Sequence, residues 1–92
     1  MTWQVRQTRR FGRVYKKLYA NALPDVDAAV AAIAANPEVG DRKKGDLSAL
    51  RVYKFRCLGQ LYLLGYTLDG SIRLIYLEAL GLHENFYRDL KR

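Results

Sequence analysis

The chain has 92 residues, of which 50% are hydrophobic, and 16 Lys and Arg against 9 Asp and Glu give it a net charge of +7. This length allows one small domain, residues 1–92, and excludes two independent cores. The basic excess indicates a polyanionic partner such as nucleic acid, although any single basic cluster is about as well explained by a solvated helix face.

The sequence carries no signal for a membrane or for export. No apolar run approaches the roughly 18 residues of a membrane span, and the N-terminus lacks the apolar core of a secretory signal. A soluble protein in the cytoplasm, with no membrane partner, is therefore expected. The single cysteine, Cys57, cannot form an internal disulfide and is interpreted as a small buried strand residue.

The first half of the chain predicts one strand and two helices. Alternating apolar and polar residues indicate a strand over residues 3–7 with one buried side. Thr8 is a plausible N-cap for a first helix, whose apolar stripe reaches Ala22. Pro24 suits the first turn of a second helix, which ends before Pro37 because the residue preceding a proline is disfavoured in helical geometry. The two helices are expected to form an antiparallel hairpin.

The second half predicts a meander of antiparallel strands and a short last helix. The strands are expected at residues 50–58, 61–68 and 71–80. Tight turns at 59–60 and 69–70 connect them. The last two strands are apolar at nearly every position, so both faces of the sheet need cover. The helical hairpin covers one face, and the C-terminal residues 81–92 or a bound partner cover the other. These residues form either a short helix of one or two turns, which their spacing of apolar residues favours, or an extended tail. The predicted class is α+β, with the order β-α-α-β-β-β-(α).

Residues 50–56, LRVYKFR, mix cations with apolar side chains in strand alternation. Lys54 and Arg56 fall on the same side as Val52, whereas Arg51 falls on the other side. Fixed positive charges at alternate positions of an apolar sheet indicate a groove that holds an anion.

The residue types of the chain favour metal-independent RNA cleavage over other chemistry. They provide no metal-ligand set, phosphate-binding loop or nucleophile elbow, so no metal or cofactor is expected. Attack by a ribose 2′-OH needs a base, a cation at the phosphate and an acid for the 5′ oxygen, and Lys54, Arg56, His83 and Tyr87 fit these roles. The planar fork of arginine matches two phosphate oxygens, and histidine exchanges protons near neutral pH. Tyr87 follows His83 by four residues, so on a helix the two share a face.

Each of these residues also has a structural explanation. His83 alone is about as well explained by a capped or partly buried structural histidine, and Tyr87 alone is more simply a core residue. Lys54 and Arg56 are typical of a charged edge strand that suppresses aggregation.

Two short motifs add a family resemblance. Their residues are Asn36, Pro37 and Gly40, which form NPxxG, and Gly81, His83, Phe86 and Tyr87, which form a G-x-H-x-x-x-[FY] ending. Together with the order of elements, they resemble the RelE/ParE superfamily of bacterial type II toxins, and the ending is similar to its YafQ-type branch. The resemblance implies that His83 and Tyr87 match catalytic positions, while Lys54 and Arg56 lie on the strand that presents active-site cations.

The resemblance implies a toxin that inhibits translation by cleaving mRNA in the ribosomal decoding site and is paired with a cognate antitoxin. Basic side chains are then expected to contact mRNA and 16S ribosomal RNA; the candidates are Arg9, Arg13, Lys16, Lys17, Lys43, Lys44, Arg51 and Arg73. Two alternatives stay open, which are a ParE-like inhibitor of DNA gyrase and a non-catalytic RNA-binding domain.

Overall fold

The computed structural model describes residues 2–43, 45 and 49–90. In chain order, the elements are β1 Gln4–Gln7, α1 Arg9–Lys16, a 3₁₀ turn Ala20–Ala22, α2 Leu23–Ala35, β2 Asp41–Arg42, β3 Arg51–Cys57, β4 Gln60–Asp69, β5 Leu74–Leu82 and α3 His83–Leu90. The strands form one sheet in the order β1-β5-β4-β3-β2. The predicted α+β class and order of elements are confirmed, and the structure adds the two-residue strand β2.

The start of α1 is fixed by Thr8, as the sequence predicts. Its Oγ1 accepts a hydrogen bond from the backbone N–H of Phe11 at 3.2 Å, which satisfies one of the free donors of the first helical turn. The same hydroxyl lies 3.1 Å from the carbonyl oxygen of Leu77, to which it donates. One side chain therefore both caps α1 and attaches it to β5.

The first helix is shorter than its apolar stripe predicts. It ends at Lys16, and Tyr19 adopts an extended backbone with 80% of its side chain exposed, so the expected continuation to Ala22 is wrong. The second helix agrees with the prediction, since it includes Pro24 in its first turn and ends at Ala35. Val26, Ala29 and Ile33 form its buried side.

The sheet combines an antiparallel meander with one parallel strand. β3, β4 and β5 pair antiparallel as predicted, and β1 pairs parallel with β5. The four residues of β1 are exposed, including Val5, whereas Trp3 just before the strand is half-buried against the core, so the expected buried side is confirmed at Trp3 and wrong at Val5. β1 lies at an edge of the sheet, where its side chains have little to pack against.

Both predicted hairpin turns differ in register from the structure. The first turn consists of Leu58 and Gly59, which both have positive φ, rather than of residues 59–60. This pair matches the twist of the flanking strands, as type I′ turns do. The second turn spans residues 70–73 with Arg73 at φ 52, so β5 begins at Leu74 instead of at residue 71.

The two faces of the sheet bury different clusters. On the first face, α1 and α2 pack against strand residues that include Leu64, Tyr66, Ile75 and Leu77. Cys57 is fully buried in the same cluster, which confirms the interpretation of this residue, and burial raises the pKa of its thiol. On the second face, a smaller cluster contains Leu50, Val52, Leu63, Ala79 and Phe86.

The NPxxG segment is tied to the core by a buried tyrosine. The hydroxyl of Tyr66 donates to the carbonyl of Pro37 at 2.7 Å and accepts from the N–H of Gly40 at 2.9 Å. A Cβ on residue 40 would lie 2.7 Å from this hydroxyl oxygen, so only glycine fits there. Arg51 adds a further tie, because its Nη1 donates to the carbonyl of Gly40 at 3.1 Å.

Replacing Tyr66 by Phe tests the importance of this tie. The change leaves the buried N–H of Gly40 without its acceptor, so we expect the free energy of unfolding to fall by about 1–3 kcal/mol. Urea denaturation followed by circular dichroism measures the difference. Tyr19→Phe is the control, since Tyr19 is 80% exposed and its hydroxyl can bond to water. Equal losses for the two variants would contradict the assigned role of Tyr66.

Candidate functional site

The second face of the sheet carries the candidate site because α3 crosses it. Phe86 is 3% exposed and packs over Gly65, where the absence of a side chain makes room for its ring. Tyr87 and Leu90 pack against the same cluster from α3. The prediction of a short last helix that covers this face is confirmed, with about two turns from His83 to Leu90.

Two predicted cations lie on β3, on the face of the sheet that α3 covers in part. Lys54 and Arg56 are both exposed, and strand alternation puts them on the second face together with the buried Val52. Val52 is the last residue along this strand that is buried under α3. Lys54 and Arg56 beyond it stay exposed, so a ligand can reach both cations from the solvent. Nη1 of Arg56 donates a long hydrogen bond of 3.5 Å to the carbonyl of Gly59.

The sheet register brings His83 to the same end of the sheet as Arg56. Arg56 is opposite Leu61, and Leu63 is opposite Gly81, which precedes His83 by two residues. With strands about 4.8 Å apart, two strand spacings separate β3 from the end of β5 by roughly 10 Å. Long cationic side chains on β3 can therefore reach a phosphate held in front of His83.

A depression of about 360 Å³ lies at this end of the sheet, lined by Gln60, Leu61, Leu82, His83 and Glu84. His83 is exposed and is the first residue of α3. The sequence interpretation did not single out Gln60 and Glu84. Glu84 could have been identified from the sequence, because it directly follows His83. Gln60 could not, because only the strand pairing brings it near His83.

Tyr87 lies farther along α3 and faces a different cation. It follows His83 by four residues, which is about 6 Å along a helix axis. Its half-buried ring packs edge-on against Phe86, and Nζ of Lys43 lies 5.5 Å from its ring centroid. This distance suits a cation–π contact. Lys43 therefore lies against α3 at Tyr87, rather than standing apart in a separate basic cluster.

The remaining predicted RNA-binding residues are spread over the molecule. Arg51 points to the first face and donates to the carbonyls of Glu38 and Gly40, and Arg73 lies in the turn at the end of the sheet opposite His83. Lys17 is the C-cap of α1. Lys44 lies outside the described residues.

Three predicted cations of α1 line a second depression. Arg9, Arg13 and Lys16 surround a space of about 320 Å³ together with Gln7, Thr8 and Gly12. The structure therefore places Arg9, Arg13 and Lys16 together on α1, apart from Lys54 and Arg56 on the second face of the sheet.

Comparison with known proteins identifies the family. Residues 5–91 match the family model of the ParE-like toxin of type II bacterial toxin-antitoxin systems. The chain therefore belongs to this family of toxins, within the RelE/ParE superfamily. No curated protein sequence matches the chain.

Solved structures agree with this assignment at the level of the fold. An arginine-to-alanine double mutant of the E. coli toxin RelE in the free state superposes with a TM-score of 0.76 at 14% identity, covering 99% of this chain and 92% of that one. The RelBE2 toxin-antitoxin complex of Mycobacterium tuberculosis gives 0.65 at 22% identity, with 90% and 100% covered. The archaeal RelE-RelB complex of Pyrococcus horikoshii gives 0.61 at 20% identity, with 89% and 96% covered.

The described residues contain no helix that is both long and apolar enough to cross a membrane. The same residues hold no group of three or more His, Cys, Asp or Glu side chains arranged to bind a metal ion.

The position of α3 depends on Gly65, and Gly65→Ala tests this dependence. A Cβ there would lie 2.9 Å from Cζ of Phe86 and 3.2 Å from Cδ1 of Leu50. We expect the free energy of unfolding to fall by roughly 1–3 kcal/mol through overpacking. Gly81→Ala is the matched control, since nothing lies within 4 Å of the added methyl group there. A loss of stability in the control as large as in Gly65→Ala would show that overlap with Phe86 is not the cause.

Proposed function

We propose that this toxin cleaves mRNA in the groove between β3 and α3 by attack of a ribose 2′-oxygen on the adjacent phosphorus. The O2′–P bond forms as the P–O5′ bond breaks. A base takes the proton of the 2′-hydroxyl, and an acid gives a proton to the departing 5′-oxygen. The products are a 2′,3′-cyclic phosphate and a 5′-hydroxyl, and the reaction needs no metal ion or other cofactor.

The observation that carries this proposal is the register of the sheet. It supports a phosphate position with Lys54 and Arg56 on one side and His83 on the other. Arg56 suits the phosphate because its guanidinium offers two parallel donors and keeps its charge. Lys54 adds a second positive charge, which becomes more favourable as the phosphate gains charge in the transition state.

In this proposal, the groups that transfer protons lie in the depression around His83. An imidazole can act as base or acid near neutral pH. The carboxylate of Glu84 lines the same depression and is a second group able to hold a proton. Tyr87, with Lys43 at its ring, is suited to stack on a base of the message and to hold it along α3.

The proposal includes two macromolecular partners. One is a cognate antitoxin, which is supported by the RelE-RelB complexes among the structures of the same fold. The other is the ribosome with its bound mRNA, because inhibition of translation requires access to messages during decoding. Residues 1–92 act as one toxin domain in this scheme, and the site of action is the cytoplasm.

Single substitutions in the groove test the catalytic roles. We expect His83→Ala, Lys54→Ala and Arg56→Ala each to slow RNA cleavage by about 10²–10⁴-fold, because each removes a proton-transfer or charge-stabilising group. Growth arrest upon induction should be relieved in parallel. Arg6→Ala is the control. Arg6 is an exposed cation on the edge strand β1, which β5 and β4 separate from β3. Full toxicity and cleavage by His83→Ala would remove His83 from the mechanism.

The chemistry of the product tests the mode of cleavage. We expect cleavage to continue in excess EDTA and to leave a 2′,3′-cyclic phosphate, because the nucleophile is the neighbouring ribose oxygen. A substrate with a single 2′-deoxyribose at the cleaved position should stay intact, and mass spectrometry of the fragments measures both effects. Cleavage of the deoxy-substituted substrate would contradict internal attack.

Inhibition of DNA gyrase is the second candidate function. It is favoured by the description of the matching family model as ParE-like. A gyrase inhibitor would bind a protein target and leave RNA intact. If the purified toxin stops supercoiling by gyrase while added mRNA on ribosomes remains whole, this second function replaces the first.

A further inference from the structure

Arg10 links the helices that cover opposite faces of the sheet. It lies on α1, which packs on the first face, whereas Leu90 is the last residue of α3 on the second face. Nη1 of Arg10 donates a hydrogen bond of 3.1 Å to the carbonyl of Leu90. The two residues are 80 positions apart in the sequence, so only the tertiary structure brings them together.

The link forms where one edge of β5 is open. β1 pairs with β5 only as far as Leu77, where β1 ends at Gln7. Beyond Leu77, no strand among the described residues covers this edge, so α1 and α3 can approach each other around it. A small depression of about 120 Å³ marks the approach. Its lining includes Arg10, Val14, Leu80, Phe86 and Leu90.

Packing alone holds the end of α3 incompletely. Phe86 is buried, but the helix continues for only four residues beyond it, and the depression leaves part of the space between Phe86 and α1 unfilled. An eight-residue helix is unstable by itself, and its ends open first. The last carbonyls of a helix have no partner within it. A guanidinium that donates to one of them satisfies it and complements the negative end of the helix dipole.

Tyr87 is the proposed functional residue nearest to this link. It precedes Leu90 by three residues and lies in the same last turn of α3, whereas His83 lies roughly two turns earlier. His83 directly follows Leu82, the last residue of β5, so the strand register fixes its place. Movement at the end of α3 would therefore displace the ring of Tyr87 and leave the imidazole largely in place.

We propose that Arg10 is a positioning residue for the cleavage of RNA. Its hydrogen bond to Leu90 holds the last turn of α3, so that Tyr87 presents its ring to a base of the message. This inference rests on the proposed function, which gives Tyr87 the role of stacking on that base. Arg10 acts on the binding of the message through Tyr87 and takes no part in proton transfer.

Amide hydrogen exchange measured by NMR tests the hold on α3 without RNA. Arg10→Met keeps the apolar stem of the side chain and removes the donor. We expect the amides of residues 87–90 to exchange about 3- to 10-fold faster in this variant, because local opening of the last turn no longer breaks a hydrogen bond. Arg6→Met is the control, since it removes the same charge from an exposed position on β1. Unchanged exchange in α3, or equal acceleration in the control, would overturn the proposal.

A double-mutant cycle with Tyr87 tests the role in cleavage. Cleavage of mRNA on ribosomes at increasing toxin concentrations gives a half-saturating concentration and a maximal rate. We expect Tyr87→Leu to raise the half-saturating concentration by about 5- to 150-fold, which corresponds to the loss of one base–aromatic stack. Arg10→Met should raise it by about 3- to 10-fold and leave the maximal rate within about twofold. In the Tyr87→Leu background, Arg10→Met should add less than about twofold, because it acts through the missing ring.

Three results of the cleavage assay would reject the positioning role. Full additivity of the two substitutions would show that Arg10 acts on the message independently of Tyr87. A lower maximal rate with an unchanged half-saturating concentration would place the effect on the chemical step. Unchanged cleavage by Arg10→Met, despite faster exchange in α3, would make the link structural only. If the wild-type chain leaves mRNA whole, the proposed function fails together with this role in cleavage, while the exchange experiment still decides whether Arg10 holds α3.

Discussion

The packing of Phe86 over Gly65 is the contact on which the rest of the candidate site depends. The apolar cluster on the second face of the sheet is covered, among the described residues, by an eight-residue helix. A helix this short is not stable by itself, so its fold comes from burying one large side chain well. Gly65 makes that burial possible because it leaves space above β4. Since His83 and Tyr87 lie on α3, this contact helps to fix their positions, together with the packing of Tyr87 and Leu90 and the register of β5.

A β-bulge between β4 and β5 directs the end of β5 toward this helix. Gly65 pairs with Ala79 and Tyr66 pairs with Leu77, so Glu78 is the additional residue. Glu78 accepts a hydrogen bond of 2.7 Å from Thr67. The bulge reverses the alternation of β5, so that Ala79 faces α3 while Leu80 joins the core on the first face. It thereby sets the side from which the chain enters α3.

The positive charge of the molecule is divided by the fold into surfaces with different chemistry. On the second face, Arg56 comes level with His83 through the strand register, and Nζ of Lys43 lies over the ring of Tyr87. On α1, the cations adjoin polar side chains and a glycine. Tyr66 and Arg51 hold the NPxxG segment against the sheet through hydrogen bonds.

The sequence by itself determined the α+β class, the extent of α2, the N-cap at Thr8 and the choice of Lys54 and Arg56 as neighbours on one side of a strand. These features depend on local periodicity, on proline and on side-chain capping, which act over a few residues. The end of α1, the short strand β2, the turn registers and the bulge at Glu78 were decided by the tertiary structure, because they depend on pairing and packing between distant segments. The grouping of the cations was also decided by the tertiary structure. Lys43 meets Tyr87, and His83 comes level with Arg56, only because the sheet register and the covering helix bring these residues together.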